Sequence, residues 1–486
     1  METIVGVKDL VLGAPLLVLF FISILPLTIK VLNNNKEQRP YAVLLQAWMG
    51  LIIAGSLYFL QSPDAVLGAF DTALIFDGVN RWMSVFLILI SGFCLFMSAD
   101  NIQTRGSQFS EHTFLVLSSL IGMLIMSASS DLIVTFIGLE LMSISLYVLV
   151  ALSKEQVIAK EAAFKYFILG SLASAIMLYG IALMYGSSGT TYLPDIGRIV
   201  SELLVEDVIY QIGSLLLLVG LLFKVSIFPF HAWTPDVYQG APTPITAFMS
   251  TGVKVATFSF LIRLFSQGIY EGNDFIIQLL QVLIVLTILV GNIGAIIQSN
   301  LKRMLSYSSI AHSGYVLIGI LVLAVNPRDG LAVAAVMFYL FAYAIVNIGS
   351  FGIVSLKEKD ENKTVFVNDL NGMAKTKPIT ALIFTVFMLS LTGIPPLIGF
   401  FGKLYLFSSA LQYEFYWVAM WGVIGSVISV YYYLRPVVNM YMREADKDIE
   451  FARQDLNTIG IGICFLLVLL FGILSSNVLN SIQVSL

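Results

Sequence analysis

Charge is scarce in this chain. Of its 486 residues only 12% are Asp, Glu, Lys or Arg, against about a quarter in soluble domains. So little charge over such a length means that most of the chain has no water-facing surface to decorate. Cysteine is scarcer still. There are two, Cys94 and Cys464, each alone in an apolar run. Iron–sulfur clusters take about four thiolates and haem takes axial ligands, so the chain lacks the residues to carry electrons, and both cysteines read as buried apolar side chains. Histidine appears three times, at His112, His231 and His312. No basic run interleaved with aromatics is present, which excludes a nucleic-acid footprint. The N-terminus, Met1-Glu2-Thr3 with Lys8-Asp9, lacks a basic n-region and a cleavage site, so the first apolar segment is expected to be a retained helix.

Long apolar runs fill the space that charge leaves. Crossing about 30 Å of hydrocarbon takes about 20 helical residues. Such runs fall at approximately 10–30, 41–61, 79–99, 112–130, 131–152, 162–186, 208–230, 243–266, 275–297, 303–324, 330–355, 379–408, 414–436 and 458–480. The expected architecture is therefore an all-α polytopic membrane domain of about fourteen transmembrane helices. The stretches at 187–207, 356–378 and 437–457 are too short for a core of their own.

Lys and Arg orient the array. Loops after odd-numbered spans hold seventeen of them: Lys30, Lys36, Arg39, Arg105, Lys154, Lys160, Lys302, Arg303, five lysines from Lys357 to Lys377, Arg435, Arg443, Lys447 and Arg453. Even loops and the termini hold five: Lys8, Arg81, Arg198, Arg263 and Arg328. The positive-inside rule then puts both termini on the outer side. The even loops are acidic instead, with Asp64, Asp71, Asp77, Glu202, Glu206 and Asp207.

Four lysines and a carboxylate remain inside the spans: Lys165, Lys224, Lys254, Lys403 and Glu140. An ionisable group at the bilayer centre costs at least about 2.5–3.5 kcal/mol, so function is its default reading. Lys254 stands about 16 Å from either end of its helix, beyond the reach of a snorkelling stem. Glu140 is as central and has a shorter stem. Lys224 and Lys403 lie nearer irregular backbone, and Lys165 is in the first turn of its helix, where a snorkel suffices. His312, mid-span, suits a proton relay. Burial lowers a lysine's pKa and a nearby carboxylate raises it, so a Glu–Lys pair that forms and breaks switches the lysine between holding and releasing a proton. A water-joined row of such groups is a conduction path.

Two spans are interrupted. One reads Phe223-Lys224-Val-Ser-Ile-Phe-Pro229-Phe-His231, the other Gly393-Ile-Pro-Pro396 through Gly399-Phe-Phe-Gly402-Lys403. Proline removes a donor and clashes with the preceding turn, which a bilayer tolerates only where protein or water satisfies the freed groups. Interruptions five spans apart suggest an inverted repeat, 112–266 against 275–436, with 1–111 before it and the last helix, 458–480, after it.

The stretch His231-Ala-Trp-Thr-Pro-Asp-Val-Tyr-Gln-Gly-Ala-Pro-Thr-Pro-Ile-Thr-Ala-Phe-Met-Ser250, with Lys224 and Lys254 flanking it, resembles the proton-antiporter-like family. Within it, Asp236-Val-Tyr-Gln-Gly-Ala-Pro242 is similar to the subunit N group of bacterial NADH:quinone oxidoreductase, respiratory complex I. The likeness continues through Lys302-Arg-Met-Leu-Ser-Tyr-Ser-Ser-Ile-Ala-His312 and Gly393-Ile-Pro-Pro396. The resemblance implies two inverted five-helix bundles about a hydrophilic axis, broken at helices 7 and 12. It pairs Glu140 with Lys224, makes Lys254 the connector of two half-channels, puts Lys403 near the exit and His312 at the polar helix-ten position, and leaves Lys165 secondary. It also implies other membrane subunits as partners, antiporter-like paralogues among them, in the bacterial cytoplasmic membrane, with lipid around them. FMN and iron–sulfur clusters would lie on other subunits, and quinone would be the substrate of the complex. The rival reading is a subunit of a multisubunit sodium/proton antiporter.

Overall fold

The computed structural model describes residues 6–34, 36, 38–60, 66–101, 108–152, 157–200, 207–358, 364–444 and 454–486. Among the loop charges named above, Asp64, Arg105, Lys154, Glu202, Glu206, Lys359, Lys363, Lys447 and Arg453 lie outside the described residues.

The chain is helical almost throughout. A short α1 (Val7–Leu12) leads into α2 (Ala14–Leu32) and α3 (Pro40–Leu60); a small hairpin, β1 (Leu67–Ala69) with β2 (Leu74–Phe76), then precedes α4 (Gly78–Asp100). There follow α5 (Phe109–Ala128), α6 (Leu132–Ala151), α7 (Val157–Ser188), the short α8 (Leu193–Ile199), α9 (Val208–Lys224), α10 (Trp233–Gly240) and α11 (Thr243–Ser266). Next come α12 (Asp274–Ile297), α13 (Leu301–Val325), α14 (Gly330–Lys357), α15 (Met373–Thr376), α16 (Pro378–Thr392) and α17 (Ile398–Gln412). The chain closes with α18 (Tyr416–Met442), α19 (Asp455–Ile473) and α20 (Ser475–Val484).

Among the described residues twelve helices are long and apolar enough to cross a membrane, and α9 and α16 are shorter apolar helices. Those two belong to the interrupted segments, so a count of fourteen requires each interrupted segment to cross as well. The last expected span also ends earlier, at Ile473, and bends into α20. The hairpin and α8 carry no long apolar run and were not foreseen.

Loop charges gather at two ends. Lys30 meets Glu111 at 2.6 Å, Arg303 meets Asp236 at 2.6 Å, and Arg435 donates to the Gln298 carbonyl at 2.9 Å. At the other end acids cap helices: Asp77, Asp131, Asp207 and Asp329 each accept a backbone N–H from the first turn of α4, α6, α9 and α14, and the amide of Asn273 does the same for α12. The acidity of the even loops is thus partly helix capping, which satisfies donors that a helix start leaves free. Asp131 also makes the α5–α6 boundary sharp, accepting from Ile133 at 2.8 Å and Val134 at 3.1 Å.

Burial sorts the helices. The spanning window of α11 is 100% buried and those of α13 and α14 are 94% buried, whereas that of α2 is only 22% buried. Hence α11, α13 and α14 form the centre, and the outer helices show apolar side chains such as Phe21, Phe164 and Val427 outward. Exposed apolar surface on this scale is a liability in water and is what a lipid-facing wall requires. This is a multi-pass membrane protein.

Close packing holds α9, which carries Lys224, against α7. A Cβ on Gly180 would lie 2.6 Å from the Gly213 carbonyl oxygen, and one on Gly213 would lie 2.9 Å from that of Gly180. Both obstacles are backbone and cannot swing aside. Gly180→Leu should therefore lose about 1–3 kcal/mol through overpacking and reduce the protein recovered from membranes. Gly186→Ala, with nothing within 4 Å, should be silent; equal recovery of both variants would show that α7 and α9 are not packed this way.

Candidate functional site

Lys224 is the last residue of α9 and is 2% exposed. Its Nζ donates to Ser143 Oγ at 2.8 Å and Tyr147 OH at 3.3 Å, and stands over the rings of Tyr147 and Tyr166 at 5.5 and 5.8 Å. Ser143 and Tyr147 share a face of α6 with Glu140, at the i, i+3, i+7 spacing of one helical stripe. Glu140 is half-buried, and its Oε1 is buried with no hydrogen-bond partner. The ammonium thus rests one turn along from the carboxylate, and the pair is open.

After Lys224 the helix stops, and side chains take over the freed backbone groups. Trp233 Nε1 donates to the Phe223 carbonyl at 3.1 Å, and the Phe228 N–H donates to Thr287 Oγ1 at 3.0 Å. The second interruption is served differently. Gly393 adopts φ +93° at the end of α16, where L side chains are strained. Lys403, on α17, reaches back to the final carbonyls of α16, Leu391 at 3.1 Å and Thr392 at 2.8 Å. That is the negative end of a helix, which favours a cation. Lys224 precedes its break and Lys403 follows its own.

Between them lies Lys254, 2% exposed, in the middle of α11. Its Nζ donates to both the carbonyl and the hydroxyl of Ser309 on α13. Tyr343 OH donates to the same hydroxyl at 2.8 Å, and Asn347 Nδ2 reaches Tyr343 OH at 3.0 Å and Ser250 Oγ at 2.7 Å. One turn along α13, His312 is clamped by two tyrosines, Nδ1 to Tyr339 OH at 2.6 Å and Nε2 to Tyr433 OH at 2.9 Å. A neutral imidazole donates from one nitrogen and accepts at the other, so the clamp joins two hydroxyls of opposite role. Tyr433 OH is bonded in turn to Ser308 Oγ. Tyr315 carries the line onward: its ring is 5.7 Å from that of His312 and 4.9 Å from Lys403 Nζ. On the other side aromatic rings bridge the halves. Tyr166 stacks on Trp233 at 4.7 Å, Trp233 meets Tyr238 at 6.0 Å, and Tyr238 lies against Ser309.

The expected residues Lys224, Lys254, His312 and Lys403 therefore fall along one buried line, with aromatic rings bridging Lys224 to Lys254 and half-buried Glu140 at its start. Lys165 does not. Its side chain is 40% exposed and pairs with Glu161 and Asp236, both at 2.8 Å, at the end of the molecule where Arg303 also holds Asp236. It snorkels. Sequence reasoning missed Ser309, Tyr339, Tyr343, Asn347 and Tyr433. Three of these had a signal, because Tyr339, Tyr343 and Asn347 recur every four residues on one face of an otherwise apolar helix.

Comparison with known proteins gives a consistent picture. The model of the family described as "NADH:quinone oxidoreductase/Mrp antiporter, TM" matches residues 129–429. The chain is 45% identical over 482 residues to NADH-quinone oxidoreductase subunit N of Bdellovibrio bacteriovorus, covering 99% of each. Among solved structures it resembles a chain of respiratory complex I from Thermus thermophilus with bound aureothin, at 31% identity and a TM-score of 0.81, covering 96% of this chain and 98% of that one. A chain of the Mrp complex from Dietzia sp. is 20% identical with a TM-score of 0.78, covering 98% and 96%, and shows a shared fold only.

Asp236, outside the spans, titrates below the usual carboxylate range. Burial is the largest single influence and acts upward, but Lys165 and Arg303 together outweigh it. A depressed value means that the triad's contribution is complete above the unfolded carboxylate value of about 3.9 and is lost as pH falls through the folded one. The melting difference between the parent and Asp236→Asn should accordingly be constant across neutral pH and shrink only below about pH 4. A difference that changes between pH 6 and 8 would contradict the pairing.

Proposed function

Because the chain belongs to the NADH:quinone oxidoreductase/Mrp antiporter membrane family, and within it to the NADH-quinone oxidoreductase subunit N group, we propose that it moves protons across the membrane as a subunit of that oxidoreductase. Quinone reduction elsewhere in the complex drives the transfer. One observation carries this reading. Lys224, Lys254 and Lys403 are each at most 5% exposed, and among the described residues none is ion-paired to a carboxylate. A buried charge without a fixed counter-ion is expensive, so an amine that gains and loses its proton fits such a position better than a permanent cation does.

The route runs along Glu140, Lys224, Lys254, His312 and Lys403. Glu140 draws the Lys224 ammonium along α6 when it is charged and releases it when neutral. Lys254 passes its proton by way of the Ser309 hydroxyl toward the Tyr339–His312–Tyr433 clamp. Lys403 discharges on the far side, with the α16 carbonyls holding its charged form. Residues 112–266 and 275–436 act as the two inverted half-channels. The loops rich in Lys and Arg face the cytoplasm of a bacterial cell, placing both termini outside. FMN and iron–sulfur clusters belong to partner subunits, and other antiporter-like subunits flank this one. The sodium/proton antiporter reading has behind it the family description that covers both classes and the shared fold of the Mrp chain, at 20% identity against 45% for the subunit N relative.

The assignment is tested by native-gel separation of mild-detergent membranes. Co-migration of the chain with NADH dehydrogenase activity in one large band is expected. Migration apart from that activity, with sodium-dependent exchange in vesicles lacking NADH and quinone, would move the chain to the antiporter class. Within the complex, Lys165→Ala should cost less coupled activity than Lys224→Ala, and a larger loss would return Lys165 to the path.

A further inference from the structure

Away from that line, one described ion pair has both partners nearly out of reach of water. The side chains of Lys302 and Glu358 are 8% and 7% exposed, whereas each other described pair has a partner at least 23% exposed. The pair lies where the basic loop residues gather: Lys302 opens α13, next to Arg303, and Glu358 directly follows α14.

It is a loose pair. Lys302 Nζ is 3.5 Å from Glu358 Oε1 but 2.8 Å from the Ala241 carbonyl, in the turn between α10 and α11. The carboxylate is held mainly by Thr243 Oγ1, 2.7 Å from each of its oxygens. A hydroxyl has a single proton and cannot serve both, so the carboxylate keeps acceptor capacity for a proton or a water.

Its placement is specific. At about 100° per residue, Thr243, Ser250 and Lys254 fall within an arc of about 40° on α11. On α14 and its end, Tyr339, Tyr343, Asn347, Ser350 and Glu358 fall within about 100°. The two stripes meet at two levels, Thr243 with Glu358 and Ser250 with Asn347. From Asn347 the bonds run through Tyr343 and Ser309 to Lys254. Between the two levels lies about 10 Å of α11, and Ala247, Ser350 and Val354, which fall between them along the two helices, are at most 1% exposed. Ser350 Oγ is bonded to its own helix, at the Val346 carbonyl. A file of about three waters at hydrogen-bond spacing would bridge that distance once the seam parts to admit them.

We propose that Glu358 is a second proton-loading group, feeding Lys254 along the α11–α14 seam independently of Glu140 and Lys224. This rests on the proton-transfer reading above. A proton from loop-side water adds to the carboxylate, giving a neutral acid, while Lys302 stays on the Ala241 carbonyl. The acid gives a proton to the water file, and the neutral Lys254 amine takes one from the file's other end. Glu358 recovers its negative charge as Lys254 becomes the ammonium that Ser309 binds. Only O–H and N–H bonds are made and broken. A buried pair also serves to pin the α10–α11 turn to α13 and α14, and the test must separate that role from proton loading.

The test uses the assembled complex in inverted membrane vesicles, with assembly read first on native gels and then proton uptake per NADH oxidised. Glu358→Gln keeps the shape and an acceptor for Thr243 but cannot titrate, and should lower uptake several-fold in an assembled complex. Glu358→Asp should restore most of it, and Thr243→Val, which keeps the carboxylate, should retain it. Parental uptake in Glu358→Gln would overturn the proposal. So would equal losses in the Gln and Asp variants, or failure of Glu358→Gln to assemble, since each outcome marks a structural pin. Lys403→Met is the control for the main line: if it too leaves uptake unchanged, the proton-transfer reading fails and not the Glu358 branch alone.

Discussion

An ammonium inside a membrane must be solvated by the protein that buries it, and the centre of this molecule is organised around that demand. Among the described residues Lys254 has no carboxylate to lean on. It takes the carbonyl and hydroxyl of Ser309 instead, and that hydroxyl is held by Tyr343, which Asn347 orients. Three helices must therefore converge on one side chain. They are α11, α13 and α14, the most completely buried spans among the described residues. Placing hydroxyls, rather than an acid, around the charge supports it without fixing it, and a group meant to cycle between charged and neutral needs that environment.

The interrupted segments answer the same demand with backbone. Breaking α16 leaves carbonyls without intrahelical partners, and Lys403 fills two of them. Breaking the chain after α9 frees groups that Trp233 and Thr287 satisfy, and it leaves Lys224 at a helix end against the Ser143–Tyr147 face. Each break therefore creates polar backbone and places a lysine near it, which is how a bilayer accommodates irregular structure. The capped starts of α4, α6, α9, α12 and α14 apply the same accounting of donors and acceptors at the membrane surface.

Much of this was legible in the sequence, because apolar run length and lone charges are strong signals in a membrane protein. Lys254 and Glu140 stood out by depth alone, and the Pro-Gly interruptions marked the breaks. Lys165 showed its snorkel by lying at the start of its apolar run, although α7 itself begins eight residues earlier, at Val157. What stayed hidden was whatever depends on which faces meet. Ser309 and Tyr433 look like ordinary helix residues until α13 is set against α11 and α18. The open state of the Glu140–Lys224 pair is a matter of one helical turn, which no spacing rule resolves. Glu358 went unnoticed inside the 356–378 stretch read as extramembrane, and its contacts with Thr243 at the start of α11 and Lys302 at the start of α13 show only in the packing.

The most direct measurement is the number of protons translocated per NADH by the assembled complex carrying Lys254→Met. Methionine fills much the same space and cannot hold a proton. If Lys254 joins the two halves of the path, the ratio falls below that of the parent while the complex still assembles and still reduces quinone at a measurable rate. An unchanged ratio in a fully assembled complex would contradict the account, leaving the buried lysines as packing and the protons on another route.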